Sequence, residues 1–173
     1  MNLSIEKQVE VLCRGADQVL PKEDLKKKLE KGRPLKVKFG ADPTAPDIHL
    51  GHSVVLSKLR QFQDFGHKVI FLIGDFTARI GDPSGKSKTR PPLSEDQIKS
   101  NAKTYLDQVT RILDVETLEI RYNSEWLSKM SFEDVLKLCG KVTLARIIER
   151  DDFSKRLKES TLPHKNNNFF IFK

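Results

Sequence analysis

The sequence predicts an α/β fold in which helices flank a parallel sheet, a Rossmann-like architecture. Residues 35–42, LKVKFGAD, alternate apolar and polar side chains as a half-buried strand does. A helical pattern follows, and then KVIFLIGD, whose continuous apolar run is typical of a strand buried on both faces. A strand, a helix and a second strand in this order normally form a right-handed crossover unit, as in nucleotide-binding folds.

The remaining elements follow from the same periodicities and from helix start and stop signals. Before the first strand, residues 3–19 and a following lysine-rich stretch predict two helices. The helix between the strands begins near the HLGH text and ends at Gly66. Residues 76–94 are rich in Gly, Pro and Ser and predict a long loop. The later predicted elements are a helix from a Ser94–Gln97 capping box to about Leu113, a strand in LEIRYNS, and helices over 132–139 and 143–157.

Composition narrows the class of protein. With 173 residues, the chain is long enough for one domain with a sizeable core. The net charge of +7 fits phosphate-bearing partners and, equally, a solvated basic surface. Cys13 and Cys139 are far apart in sequence, so neither a disulfide framework nor a structural zinc site is expected. We expect a cytoplasmic location, where thiols stay reduced. No apolar run is long enough to span a membrane, so no membrane partner is expected.

Residues 41–56, ADPTAPDIHLGHSVVL, bring His49 and His52 to the point where a strand turns into a helix. In open α/β sheets ligands bind beyond the carboxyl ends of the strands, where the next helix presents unpaired N–H groups. Three residues apart, both histidines lie on one helix face and can donate hydrogen bonds to phosphate, while Gly51 lets a base or ribose approach. From these residues alone, two other interpretations of the histidines stay open, a surface pair or half of a metal site.

HLGH resembles the HIGH signature of class I aminoacyl-tRNA synthetases. The segments KFGADPTAPDIHLGH, GHKVIFLIGDFTARIGDPSGKSKTR and NSEW are similar to bacterial tyrosyl-tRNA synthetases, in the same order and at the same spacing. The resemblance covers roughly residues 1–159. GDPSGKS also imitates a P-loop, but only three residues separate Gly81 from Gly85 where that motif has four, so we reject the P-loop interpretation.

The resemblance implies that tyrosine attacks the α-phosphate of ATP and that the tyrosyl group then moves to the terminal ribose of tRNA(Tyr). The implied partners are tyrosine, ATP with Mg²⁺ and tRNA(Tyr), with no protein-bound metal. The complete enzyme is implied to be a homodimer.

The resemblance also assigns roles to individual residues. The catalytic residues, which would stabilise charge on the phosphates, are His49, His52, Thr44, Lys86 and Arg90. The ATP-binding residues are Asp42, Pro43, His49, Leu50, Gly51 and His52. The tyrosine-binding residues are Gly40, Asp42, Asp82, Asn123 and Trp126. Asp82 would receive the substrate ammonium, because a carboxylate can pair with it. Lys38 stands where many members carry a tyrosine that contacts the phenol, so a different phenol contact is implied.

The same comparison predicts three segments. Residues 1–34 are an amino-terminal helical segment, residues 35–159 an incomplete Rossmann-like catalytic domain, and residues 160–173 a tail outside the family for which disorder is expected. The KMSKS loop and the tRNA-binding domain of the family are not found, since LSKMS at residues 127–131 lies in the wrong place. The chain is therefore expected to be inactive alone.

Two other functions stay open at this point. One is a non-catalytic fragment that binds nucleotide weakly or associates with a partner chain. The more distant one is a small adenylyltransferase that uses HxGH. The segment GDPSGKSKTR argues against this alternative.

Overall fold

The computed structural model describes residues 3–19, 21–48, 50–80 and 93–158. Within these ranges, three parallel strands form a sheet of order β1-β2-β3, with β1 at Lys36–Ala41, β2 at Lys68–Ile73 and β3 at Leu118–Tyr122. Lys36 lies opposite Lys68, and Val69 lies opposite Leu118. The parallel sheet with flanking helices confirms the predicted fold class.

Several helices begin or end near the predicted signals. Their bounds are α1 Ile5–Cys13, α2 Lys22–Glu30, α3 Leu50–Asp64, α4 Asp75–Ile80, α5 Glu95–Val109, α6 Ser124–Leu127, α7 Phe132–Cys139, α8 Leu144–Ile148 and α9 Asp151–Lys158. The predicted Ser94–Gln97 capping box opens α5, and Ser131 of the LSKMS text caps α7 in the same way. Gly66, with a φ of +81°, ends the turn after α3 as expected.

The main core lies on one face of the sheet. Alternate residues of β2 meet apolar side chains of α3 and α5, which cover this face. The buried members are Leu56, Leu59, Val69, Phe71, Ile73, Ala102, Tyr105, Val109 and Leu113. Each large apolar side chain that is fully buried contributes about 1.5–3 kcal/mol. This packing holds α3 and α5 against the strands whose carboxyl ends carry the predicted site.

A second apolar cluster joins the amino-terminal helices to α3. Val9 and Leu12 of α1 and Leu29 of α2 are buried together, and Phe62 and Phe65 of α3 pack against them. Both predicted helices of this segment are present, but α1 ends at Cys13 and does not extend to residue 19, because the chain turns at Gly15, whose φ is +74°. The predicted domain boundaries stay predictions. Across the described residues, no helix combines the length and apolar character that crossing a membrane requires.

The Lys58 ammonium of α3 makes polar contacts with the same segment. It donates to the carbonyls of Val11 and Arg14 at 3.3 and 2.8 Å, at the carboxyl end of α1. Cations at this end of a helix are favourable because the last carbonyls lack partners within the helix.

A buried histidine, His67, accepts a hydrogen bond from the residue that precedes β1. The Nδ1 atom of His67 accepts the N–H of Leu35 at 3.3 Å, and the rings of His67 and Phe62 have centroids 5.8 Å apart. None of the described residues bonds to the buried Nε2 atom. Burial lowers the pKa of His67, because the charged imidazolium is poorly solvated there.

Burial of β2 differs from the prediction. Val69, Phe71 and Ile73 are buried, whereas Ile70 and Leu72, on the opposite face, are only half-buried. The expectation of a strand buried on both faces is therefore wrong for the described structure. The reason is that α3 and α5 both pack on the same face.

Two other predicted spans also differ. Residues 75–80, most of which were expected to belong to a long loop, form the helix α4. The N–H of Phe76, in its first turn, donates to the side chain of the distant Asn123 at 2.8 Å. The predicted helix over residues 143–157 is divided into α8 and α9, with Thr143 as the cap of α8.

Candidate functional site

The carboxyl ends of the three strands bring together residues that are distant in sequence. Past the end of β2, the N–H of Gly74 donates to the carbonyl of Ala41 at 3.0 Å, and the N–H of Asn123 donates to the carbonyl of Ile73 at 3.0 Å. These bonds extend the parallel ladder by one step on each side of β2. The residues just beyond the strands therefore lie side by side at the edge where ligands bind in α/β sheets.

A hydrogen-bonded cluster joins three of these residues. The hydroxyl of Thr77 donates to the Oδ1 atom of Asp42 at 2.8 Å, and the Nδ2 atom of Asn123 donates to the hydroxyl of Thr77 at 2.9 Å. A threonine hydroxyl has one proton, so the donation to Asp42 leaves its oxygen to accept from Asn123. Asn123 is only 7% exposed, and its bonds satisfy an amide that would otherwise be costly to bury. The cluster fixes the orientation of the Asp42 carboxylate.

Gly74 makes the close approach of this cluster possible. A Cβ atom on Gly74 would lie 1.7 Å from Asp42 Oδ1 and 2.6 Å from Thr77 Oγ1. Both distances are far inside van der Waals contact, so only glycine fits here without displacing the carboxylate.

Helix α5 holds the connection between β1 and α3. The Nδ2 atom of Asn101 donates to the carbonyl of Pro43 at 3.0 Å. The side chain of Gln108 accepts the N–H of Ile48 at 3.0 Å and donates to Asp47 at 2.9 Å. The connection that carries the predicted ATP-binding residues is thus held near both of its ends.

Within that connection, Pro43 is buried and Thr44 is half-buried, and the N–H of Thr44 donates to the carbonyl of Asp42 at 2.8 Å. A compact turn follows β1 in this way. It keeps Asp42 at the end of the strand and directs the chain towards α3.

The start of α3 lies beside the apolar core. His52, in the first turn, is half-buried, and its ring centroid is 6.4 Å from that of Tyr105 in an edge-to-face arrangement. Leu50 and Gly51 precede it and are exposed, Leu50 with 85% of its surface. Tyr105 therefore limits the directions in which the imidazole of His52 can turn.

The predicted tyrosine-binding residues lie at separate strand ends. Gly40 is exposed on β1, and the Lys38 ammonium lies over it, 2.8 Å from where a Cβ atom would be. Trp126 lies in α6, just after Asn123, and is 42% exposed. Asn123 is engaged in the cluster with Thr77.

Four predicted site residues lie outside the described residues: His49, Asp82, Lys86 and Arg90. Their roles stay predictions. Among the residues that the structure describes, no group of three or more His, Cys, Asp or Glu side chains could hold a metal ion.

Sequence reasoning missed Gly74, Asp75, Thr77 and Asn101. Gly74 and Asp75 end the KVIFLIGD text of the predicted second strand and Thr77 follows it, and this position at a strand end was the available signal. For Asn101 there was no local signal, because its contact with Pro43 joins residues 58 apart in the chain.

Three parallel strands with flanking helices define a Rossmann-like α/β protein, and the polar cluster lies at the edge where ligands bind in such folds. The chain belongs to the family of class I tRNA synthetases (W and Y), whose model matches residues 30–169.

Curated relatives include the tyrosine–tRNA ligase of Deinococcus radiodurans, which is 60% identical over 162 residues, a match covering 92% of this chain and 39% of the relative. That of Francisella tularensis is 59% identical over 155 residues, covering 90% and 39%. The chain thus spans 39% of the length of these relatives.

Solved structures are similar in fold. A C-terminally truncated mitochondrial tyrosyl-tRNA synthetase of Aspergillus nidulans has a TM-score of 0.71 at 22% identity, covering 90% of this chain and 48% of that one. The tyrosyl-tRNA synthetase of Archaeoglobus fulgidus complexed with L-tyrosine has a TM-score of 0.70 at 23% identity, covering 94% and 46%. At these identities the likeness shows the fold alone.

Proposed function

We propose that this chain supplies the ATP- and tyrosine-binding part of a tyrosine–tRNA ligase. The observation that carries the proposal is the cluster of Asp42, Thr77 and Asn123 at the carboxyl ends of the three strands, in which Asp42 begins the connection to α3. Relatives named tyrosine–tRNA ligase support tyrosine as the amino acid. The substrates are tyrosine, ATP as its Mg²⁺ complex, and tRNA(Tyr).

The first step joins the two small substrates. A carboxylate oxygen of tyrosine attacks the α-phosphorus of ATP, the bond to the bridging oxygen breaks, and pyrophosphate leaves with that electron pair. A hydroxyl of the terminal ribose of tRNA(Tyr) then attacks the acyl carbon of tyrosyl-adenylate and loses its proton, the bond from that carbon to the phosphate oxygen breaks, and AMP leaves with that electron pair. The enzyme must orient the reactants and stabilise charge that grows on the phosphates, and one well-aimed donor contributes about 3–4 kcal/mol at most.

His52 and His49 donate to the phosphate oxygens in this proposal. The first turn of α3 suits that role because the positive end of the helix dipole lies there and favours anions. Thr44 contributes a hydroxyl donor from the compact turn after β1. Lys86 and Arg90 pair with the departing pyrophosphate.

Asp42 accepts hydrogen bonds from the amino or hydroxyl groups of the bound adenylate. Its orientation is supported by Thr77 Oγ1 at 2.8 Å. Gly40 and Trp126 line the tyrosine side of the site, and Asp82 pairs with the substrate ammonium.

Two further parts of the proposal concern the state of the protein. Free thiols at Cys13 and Cys139 support a reducing, cytoplasmic location. Exposed apolar side chains on α7 and α8, Phe132, Leu136 and Leu144 among them, support pairing with a second copy.

ATP–pyrophosphate exchange with each amino acid tests the function. We would assay the 173-residue chain and a chimeric enzyme in which residues 1–158 replace the matching part of the Deinococcus radiodurans relative. The expected result is tyrosine-dependent exchange by the chimeric enzyme. Exchange driven by tryptophan instead, or no exchange by a chimeric enzyme whose circular dichroism and melting match the relative, would refute the proposal.

A further inference from the structure

The helices that follow β2 and β3 cap each other. The Oδ1 atom of Asp75, the first residue of α4, accepts the N–H of Ser124, the first residue of α6, at 3.0 Å. In return, the Oδ1 atom of Asn123 accepts the N–H of Phe76 at 2.8 Å. Each helix start therefore receives from the other an acceptor for one of its first N–H groups, and the N–H of Phe76 also donates to Asp75 Oδ1 at 3.0 Å.

Asn123 joins this reciprocal cap to the site cluster. While its Oδ1 atom caps α4, its Nδ2 atom donates to Thr77, which in turn donates to Asp42. A continuous series of hydrogen bonds thus runs from Asp75, just beyond β2, through the backbone between Ser124 and Asn123, to the carboxylate after β1. The side chains within it are half-buried or buried, which makes each lost bond costlier than at an exposed surface.

We infer that Asp75 is a positioning residue for the adenylation site. It fixes the backbone of Asn123 and Ser124, and through Thr77 it fixes the direction of the Asp42 carboxylate. The inference rests on the proposed function, because it assigns Asp42 a contact with the adenylate. A purely structural cap would stabilise α6 without affecting ligand affinity.

The first arm of the test measures the cap itself in the 173-residue chain. Asp75→Ala removes the acceptor, whereas Asp75→Asn retains an oxygen in the same place. Amide hydrogen exchange read residue by residue should show faster exchange at Ser124 in Asp75→Ala and near-native exchange in Asp75→Asn. Unchanged exchange at Ser124 in Asp75→Ala would overturn the inference.

The second arm measures binding of a stable sulfamoyl analogue of tyrosyl-adenylate to the same chain. We expect Asp75→Ala to weaken binding about threefold to tenfold, the range for loss of one hydrogen bond, and Asp75→Asn to restore most of it. In a Thr77→Val background, Asp75→Ala should have almost no further effect, because both act through Asp42. Thr110→Val is the matched control, since among the described residues that exposed hydroxyl donates only within its own helix turn, to the carbonyls of Leu106 and Asp107.

The outcomes separate this inference from the proposed function. Native affinity in Asp75→Ala, or losses that add fully to those of Thr77→Val, would reduce Asp75 to a structural cap and overturn the inference alone. Failure of the unvaried chain to bind the analogue would count against the proposed function, and the inference would fail with it.

If Asp75→Ala does not fold, Thr77→Val and Asp75→Asn carry the comparison. Thr77→Val must then weaken binding about threefold to tenfold, the loss expected of Asp75→Ala, while its melting temperature remains near that of the unvaried chain.

Discussion

The carboxylate of Asp42 lies so close to Gly74 that a Cβ atom on that glycine would be 1.7 Å from Oδ1. The two residues are at the ends of neighbouring strands, and the N–H of Gly74 donates to the carbonyl just before Asp42. The orientation of this carboxylate therefore depends on the absence of a side chain on the adjacent strand.

Gly74→Ala should displace Asp42 and Thr77. We expect a loss of about 1–3 kcal/mol in the free energy of unfolding from overpacking, measured by urea titration. Binding of the adenylate analogue should weaken at least as much as in Thr77→Val. Gly140→Ala is the matched control, because its new Cβ would meet only carbonyl oxygens at 3.5 and 3.6 Å. Equal losses of unfolding free energy and of analogue binding in the two variants would contradict the close approach of Asp42 to Gly74.

His52→Asn should slow adenylation in the chimeric enzyme much more than it weakens tyrosine binding. The reason is that a donor to the phosphates acts on charge that develops in the transition state. Single-turnover adenylate formation should slow by up to about a thousandfold, and His49→Ala should act similarly. Ser57→Asn, an exposed change on the same helix, serves as the control. A normal rate with lost tyrosine affinity would rule out this role.

Asp82→Asn should weaken tyrosine and tyramine alike, since both carry the amino group that Asp82 is predicted to bind. The analogue without an amino group, 3-(4-hydroxyphenyl)propionate, should be unaffected by the substitution. Equilibrium dialysis with the chimeric enzyme measures all three. A similar loss for the deaminated analogue would mean that Asp82 does not pair with the ammonium.

His67 should make the protein less stable in acid. Because burial lowers the pKa of His67 from 6.5, the unfolded chain binds a proton at a pH where the folded chain does not. The stability that the folded state has with a neutral His67 is therefore fully present above about pH 6.5, and it is lost as pH falls from there towards the pKa of His67 in the folded state. His67→Asn keeps an acceptor for Leu35 without titrating, so its unfolding free energy should vary less between pH 7 and 5. Identical pH slopes in urea titrations would contradict the prediction.

Leu136→Glu should dissociate a dimer of this chain if α7 contributes to the contact with a second copy. Sedimentation velocity over a concentration series would then show a monomer for the variant and a dimer for the unvaried chain. Val115→Glu is the matched control, since Val115 and Leu136 are both 56% exposed and Val115 lies in the turn before β3. A chain that is monomeric at every concentration, or a dimer that survives Leu136→Glu, would argue against this surface.

Features set by neighbouring residues could be predicted from the sequence. The alternation in β1 and the apolar spacing of α3 identified the parallel unit, and Ser94 with Gln97 marked the start of α5. These signals are readable because a strand face, a helix face and a capping box each involve residues only two to four positions apart. The same local text identified the family, while the roles of the site residues stay predictions.

The contacts that organise the site depended on tertiary structure. Thr77 meets Asp42 across 35 residues, and Asn123 caps α4 across 47, so neither partner is visible in the local pattern. The one-sided burial of β2 likewise followed from where α3 and α5 packed, because an apolar run is equally compatible with burial on one face or both. The sequence by itself thus determined the elements and the residue types at their ends. The order of the strands in the sheet decided which of those ends meet, because hydrogen bonds between side chains require proximity in space and not in sequence.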